Sequence, residues 1–320
     1  MSKLDVLAVE CFHPAYLEAM RREYNVHVDS HKGDQQAFKH LASSIVGIAA
    51  SGESRVPGDL MSQLPNLKVV SVFGVGYDGV DTKTANALNV GVSHTPGVLT
   101  DDVADLALGL LLAVGRAIPQ ADHYVKSGRW PTGPMPLAKK VSGANLGIVG
   151  LGRIGKAIAS RAVAFNMKIS YTARTEKLDS GLKFYPDAVS LAKNVDFLIV
   201  STPGGEGTKH LINAEVLNSL GSKGYLINVA RGSVVDQDAL VQALANGTIA
   251  GAGLDVFANE PNVPEALWAM KNVVLTPHIA SATVQTRQAL ADLAFANLQA
   301  GMMGKALLTP VPEMRKVTPA

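Results

Sequence analysis

The chain has a single cysteine, Cys11, in 320 residues. One thiol can form neither an internal disulfide nor a cysteine-built zinc site, so a reducing compartment, the cytoplasm, and no metal are expected. Excess charge is also missing. With 29 Lys and Arg against 27 Asp and Glu, a net charge of +2 offers no broad basic field to nucleic acid or to an anionic membrane surface. Neither partner is expected. Long hydrophobic runs are absent as well: LALGLLLAVG, from Leu106 to Gly115, falls far short of the roughly 20 residues that cross a bilayer, and Asp105 and Arg116 flank it. The N-terminus, MSKLDVLAVECFHP, carries Asp5 and Glu10 in its apolar stretch and no small-residue cleavage pattern. It reads as a first strand and not as a signal peptide. Repeats of solenoid period and low-complexity tracts are not found.

What is present is a chain with ample material for cores, 47% hydrophobic and 18% charged, and long enough to expect two domains. Apolar β-rich runs alternate with helical patterns, the signature of parallel sheets with crossover helices. Strands are expected at LDVLAV (4–9), NVHVD (25–29), IVGIAAS (45–51), KVVSVFG (68–74) and GVSHT (91–95). A long helix follows, with Thr100 as N-cap, Asp101 and Asp102 at its positive start, and DVADLALGLLLAVGRAI as core. After a Pro/Gly-rich loop (128–143), a second series begins: NLGIVG (145–150), KISYTA (168–173), DFLIVST (196–202), GYLINVA (224–230), IAGAGLDV (249–256) and NVVLTPH (272–278). A last helix is expected over about 283–302.

Two stretches match the spacing G-x-G-x-x-G, GVGYDG (74–79) and GLGRIG (150–155). Context separates them. GLGRIG follows an apolar strand and runs into RIGKAIASRAVAF, whose apolar spacing is helical, so helix amides at Arg153 and Ile154 and the dipole would face a pyrophosphate. GVGYDG would set Asp78 and Asp81 at the phosphate position. The dinucleotide loop is therefore expected at Gly150, Gly152 and Gly155. About 20 residues after it, where an NAD-specific loop has a carboxylate for the ribose, Thr172 is followed by Ala173, Arg174 and Thr175. Arg174 and Thr175 suit a 2′-phosphate, so NADPH is expected ahead of NADH.

The segments VGLGRIGKAIA (149–159), INVARGSVVDQDALVQAL (227–244), AGLDVFANEP (252–261) and TPHIASATVQTRQAL (276–290), in this order, resemble the D-2-hydroxyacid dehydrogenase family over essentially the whole chain. Within it they look most like glyoxylate/hydroxypyruvate reductases. The resemblance implies two Rossmann-like α/β domains with parallel sheets, the dinucleotide-binding domain (99–287) inserted into a flavodoxin-like catalytic domain made of 1–98 and 288–320. It implies reduction of a small 2-oxo acid, glyoxylate or hydroxypyruvate, by hydride transfer. The residue chemistry agrees. His278 ends a strand and has the near-neutral pKa of a general acid, Glu260 can hold its imidazole, and Arg231 offers a planar fork to a carboxylate and ketone oxygen.

The resemblance further implies that the backbone amides of GVGYDG bind the substrate carboxylate, with Val75 and Gly76 as donors, and that Ser281 is a substrate-side hydroxyl. It puts Thr202, Pro203, Val229, Ala230, Asp255 and Ala280 along the cofactor, which Arg231 and His278 also border. Arg287 is open between a substrate contact and a domain-joining ion pair, and the seven histidines other than His278 are expected to be surface or packing residues. The size of the acid is expected to depend on Leu99, Met135 and Trp268; 2-ketogluconate and aryl-pyruvates stay open. Formate dehydrogenases of this fold carry glutamine where Glu260 stands, phosphite oxidation goes with a lysine that VFGVGYDGVD lacks, and the fold's dinucleotide-sensing corepressors have extra tails. A homodimer is expected through the long helix and loop 128–143, whose Trp130, Met135 and Leu137 would otherwise form an exposed patch. Met135 is a candidate to reach the partner's active site.

Overall fold

The computed structural model describes residues 3–10 and 13–314; Cys11 lies outside the described residues. The chain divides into two compact units, Met1–Leu99 with Thr283–Ala320, and Thr100–Ala282. The first holds a sheet of β1 (Asp5–Val9), β2 (Asn25–Val28), β3 (Ile45–Ser51), β4 (Val69–Phe73) and β5 (Gly91–Ser93) in the order β2-β1-β3-β4-β5. Every pair in it is parallel. That is the flavodoxin-like order, with ligands expected beyond the carboxyl ends of the strands. Fully buried Leu7, Val9, Ile45, Ile48, Val70 and Val72 make its core. A domain boundary after residue 287 would cut the helix Val284–Met302, yet the whole helix belongs to this unit. The reason is its seat on β4, where Ser71 donates its hydroxyl to Ala294 O at 2.8 Å.

The second unit holds seven strands: β6 (Asn145–Val149), β7 (Lys168–Thr172), β8 (Lys183–Tyr185), β9 (Phe197–Val200), β10 (Tyr225–Asn228), β11 (Gly251–Leu254) and β12 (Val273–Leu275). Their order is β12-β11-β10-β9-β6-β7-β8, again parallel throughout. The chain reverses its direction of travel between β6 and β9, the crevice where such sheets bind dinucleotides. Leu198, Leu226, Ala252 and Ile249 are fully buried beneath it.

Two details depart from the sequence reading. β8 is an additional edge strand, only three residues long and partly exposed, too short for an alternation to show. The helix expected to run on through Ile118 ends at Gly115, and a second helix, Ile118–Lys126, starts after it. Ala117 is left-handed with φ 51°, and Pro119, which has no N–H to donate, opens the new first turn. Asp101 does more than face the helix start. Arg161 donates to Asp105 at 2.6 Å and to Asp101 at 2.9 Å, tying the helix Arg153–Val163 to the helix Thr100–Gly115.

Candidate active site

A parallel sheet brings the ends of all its strands to one edge. In the first unit, the end of β5 organises the loop that follows β4. Thr95 donates its N–H to Gly74 O at 2.8 Å, and its hydroxyl accepts from Gly74 N at 3.0 Å. His94 Nδ1 lies 2.9 Å from Val75 O. A carbonyl only accepts, so Nδ1 carries the proton. Both carbonyls are thus turned toward β5. In a planar trans peptide the N–H points opposite to the C=O, so the amides of Val75 and Gly76 face away from β5 together. Neither donates to any group among the described residues. Two neighbouring donors aimed one way form an anion-binding concavity. At the base of this loop the Arg287 guanidinium lies 5.7 Å from the centre of the Phe73 ring.

In the second unit, β6 leads into Gly150–Gly152 and the helix Arg153–Val163. A Cβ on Gly155 would lie 2.1 Å from Gly150 O, so only glycine lets the helix come this close to the strand end. Gly152 is different: a Cβ there meets nothing within 4 Å and would project into open space. That space lies before the helix start, whose first amides have no intrahelical acceptor, and the arrangement fits a pyrophosphate. Thr202 lies against this loop, with Pro203 after it. At the end of β7, Arg174 and Thr175 are exposed, and Lys177 reaches the Thr175 hydroxyl at 3.3 Å. Lys177 adds a cation that strand-end reasoning passed over; its place two residues beyond Thr175 was the available signal.

The segments after β10, β11 and β12 carry Arg231, Glu260 and His278. Asn228, 1% exposed, accepts from Ala230 N and donates to Arg231 O, fixing the turn that presents Arg231. A Cβ on Gly232 would lie 1.9 Å from the Phe257 carbonyl carbon, so the backbone beside Arg231 packs directly on the segment leading to Glu260. Glu260 accepts from Phe257 N at 2.8 Å and from His278 Nδ1 at 2.7 Å. Burial alone would raise the Glu260 pKa, but the His278 hydrogen bond and charge, the Phe257 amide and Arg231 together take it below its ordinary value.

His278 itself is left-handed, φ 52°, a conformation that costs a non-glycine residue about 1–3 kcal/mol. Asp255, with no exposed surface, holds the strained loop: it accepts from Thr276 Oγ1 at 2.7 Å, Ile279 N at 2.8 Å and Ala280 N at 2.9 Å. Ser281 is buried in the same loop. The amides of Val229, Ala230 and Ala280 are each bonded within the protein, and the Ala230 carbonyl accepts from Arg231 Nη1 at 2.7 Å.

The sequence-predicted residues of each unit therefore gather at that unit's own carboxyl edge. Leu99 is buried, Met135 is half-buried and Trp268 is exposed. His94 was passed over as a packing residue, although its place at a strand end beside Thr95 was the signal.

The model for D-isomer-specific 2-hydroxyacid dehydrogenases, NAD-binding domain, matches residues 108–280. The chain is 48% identical over 276 residues to a glyoxylate/hydroxypyruvate reductase of Arabidopsis thaliana, covering 86% of this chain and 87% of that protein. It is 42% identical over 310 residues to a 2-ketogluconate reductase of Gluconobacter oxydans, covering 97% and 99%. Among solved structures it is similar to an NADPH-dependent glyoxylate/hydroxypyruvate reductase from Sinorhizobium meliloti in complex with NADP and malonate, with TM-score 0.90, 46% identity and 98% of each chain covered. Fold and likeness define an NAD(P)-dependent oxidoreductase. The chain belongs to the D-isomer-specific 2-hydroxyacid dehydrogenase family.

The two glycines of the dinucleotide loop separate stability from binding. Gly155→Ala overpacks a backbone contact and is expected to lower stability by about 1–3 kcal/mol, seen as a drop in Tm. Gly152→Ala is expected to keep the Tm and weaken NADPH in a fluorescence titration, because its methyl group enters the space left for the pyrophosphate. Equal Tm for both variants would contradict this division.

Proposed function

We propose that the protein reduces glyoxylate, hydroxypyruvate or a close relative to the 2-hydroxy acid, with NADPH preferred over NADH. The observation that carries this reading is the His278–Glu260 pair at 2.7 Å beside Arg231, in a chain that shares the family's dinucleotide loop. Gly150, Gly152, Arg153, Ile154 and Gly155 would hold the pyrophosphate, and Arg174, Thr175 and Lys177 the 2′-phosphate. When bound, the cofactor supplies a hydride to the carbonyl carbon. Val75 and Gly76 bind the substrate carboxylate through their amides. Arg231 orients the ketone and draws charge toward its oxygen as the carbon is reduced. Glu260 holds His278 through Nδ1, and Nε2 gives the proton to that oxygen. Glu260 keeps the imidazole oriented and favours its charged form. Ser281, three residues after His278 in the same loop, offers its hydroxyl to a substrate oxygen. A cytoplasmic location rests on the single cysteine, and among the described residues no helix is long and apolar enough to cross a membrane.

The second half of the reading is a homodimer. The helix Ile118–Lys126 has no buried residue, Trp130 is 67% exposed and Leu137 fully exposed. Such a surface is costly to leave in water. Light scattering at micromolar concentration is expected to give twice the chain mass; a monomer there would contradict it.

Steady-state assays of glyoxylate, hydroxypyruvate, 2-ketogluconate and an aryl-pyruvate with both cofactors test the activity directly. No turnover with any of them would end the proposal. Arg174→Ala is expected to weaken NADPH by roughly 10- to 100-fold, the loss of a charge-assisted contact, and to leave NADH nearly unchanged. Equal losses would remove Arg174 from the 2′-phosphate.

The proton step has its own signature. The attraction that lowers the Glu260 pKa acts equally on its partner, stabilising the imidazolium. Reduction needs that charged form, so its rate is expected to be level at low to neutral pH and to fall as His278 loses its proton. Glu260→Gln removes the charge and is expected to move this fall to lower pH. An unmoved profile would leave Glu260 with a positioning role alone.

A further inference from the structure

We propose that His94 is a positioning residue for substrate binding, one that aims the Gly76 amide by holding the Val75 carbonyl. The inference rests on the reading of Val75 and Gly76 as carboxylate donors. His94 is 8% exposed, and both its ring and its backbone are held in place. Its Nδ1 donates to Val75 O at 2.9 Å. Tyr77, from the same loop, meets the ring edge-on, with centroids 5.2 Å apart and planes at 86°. Its backbone is clamped by Thr309: His94 N donates to Thr309 O at 3.2 Å, and the Thr309 hydroxyl donates to His94 O at 2.5 Å. Thr309 is itself held by fully buried Asn297, which donates to its hydroxyl at 2.8 Å and accepts from its N–H at 3.0 Å.

A continuous chain of hydrogen bonds thus runs from the helix Val284–Met302 through Thr309 and His94 to the Val75–Gly76 peptide. The peptide unit is a rigid plane, so fixing its oxygen fixes the direction of its hydrogen. Without the imidazole, that plane can turn about the flanking bonds, and the glycine at 76 puts no side chain in the way. Val75 N–H would stay oriented, since Thr95 holds the Gly74 carbonyl independently. His94 therefore governs one of the two donors, and it does so without touching the ketone.

The test uses two substitutions of nearly equal size. In His94→Asn the amide nitrogen can stand where Nδ1 stands and donate to Val75 O; in His94→Leu no donor remains. KM and kcat for glyoxylate are measured in both, together with competitive inhibition by oxalate, which needs the carboxylate donors and no hydride transfer. His94→Leu is expected to raise KM and the oxalate inhibition constant by about 10-fold, with kcat within about threefold of the parent, and His94→Asn to restore most of both. Equal values for the two variants, or a fall in kcat with KM unchanged, would overturn the role of His94. An unaltered chain that reduces no 2-oxo acid would instead overturn the functional reading beneath it.

Discussion

A carboxylate with no exposed surface, Asp255, is what the loop that carries His278 depends on. The chain must turn sharply after β12 to present an imidazole at the sheet edge, and His278 takes a left-handed conformation to do it. Left alone, such a turn would relax. Asp255 prevents this by accepting from a residue before the histidine and two after it, while its own backbone carbonyl accepts from His278 N at 2.9 Å. Three hydrogen bonds at about 0.5–1.5 kcal/mol each are together enough to offset the strain of one residue. With the backbone so fixed, Glu260 needs to set only the orientation of the ring.

The two G-x-G-x-x-G loops present amide donors by different means. At Gly150–Gly155 the donors are those that any helix start leaves unpaired, and glycine matters because a strand end and a helix must nearly touch. At Gly74–Gly79 no long helix follows. The donors there are turned outward because β5 captures the carbonyls on the other side of the same peptides. A helix start adds its dipole and suits a doubly charged pyrophosphate; a pair of isolated amides suits a single carboxylate. Spacing alone cannot tell these apart, and the segment after each loop can.

Much of this was legible in the sequence. The strand and helix periods, the two successive α/β series and the strand-end positions of Arg231 and His278 follow from patterns that a parallel sheet imposes, while the insertion of one domain into the other came from the family resemblance. Glu260 was legible through the resemblance, since a Glu-Pro pair alone reads as a turn. His94 was hidden because its contact is to a backbone carbonyl, and no spacing encodes which carbonyl a histidine will meet. The clamp of Thr309 and Asn297 on His94 spans more than 200 residues of chain and exists only once the last helix lies on β4. β8 and the break at Ala117 were missed for local reasons, a three-residue edge strand and a single left-handed alanine inside an apolar pattern.

Asp255 and Glu260 are five positions apart and shift in opposite directions. Burial dominates at Asp255 and raises its pKa in spite of its hydrogen bonds. At Glu260 burial also acts to raise it, yet His278, the Phe257 amide and Arg231 together reverse the sign. For Glu260 the folded value lies below the unfolded one, so its contribution to stability is present above the ordinary carboxylate range and is lost as pH falls through the lowered value. Asp255 has the opposite sign: its ionised form costs stability, and that cost is relieved as pH falls through its raised value. The stabilisation that Glu260 draws from His278 is the same interaction that favours a proton on the imidazole. What Asp255 supplies is acceptor capacity for three donors at once, and that capacity is what the strained backbone at His278 requires.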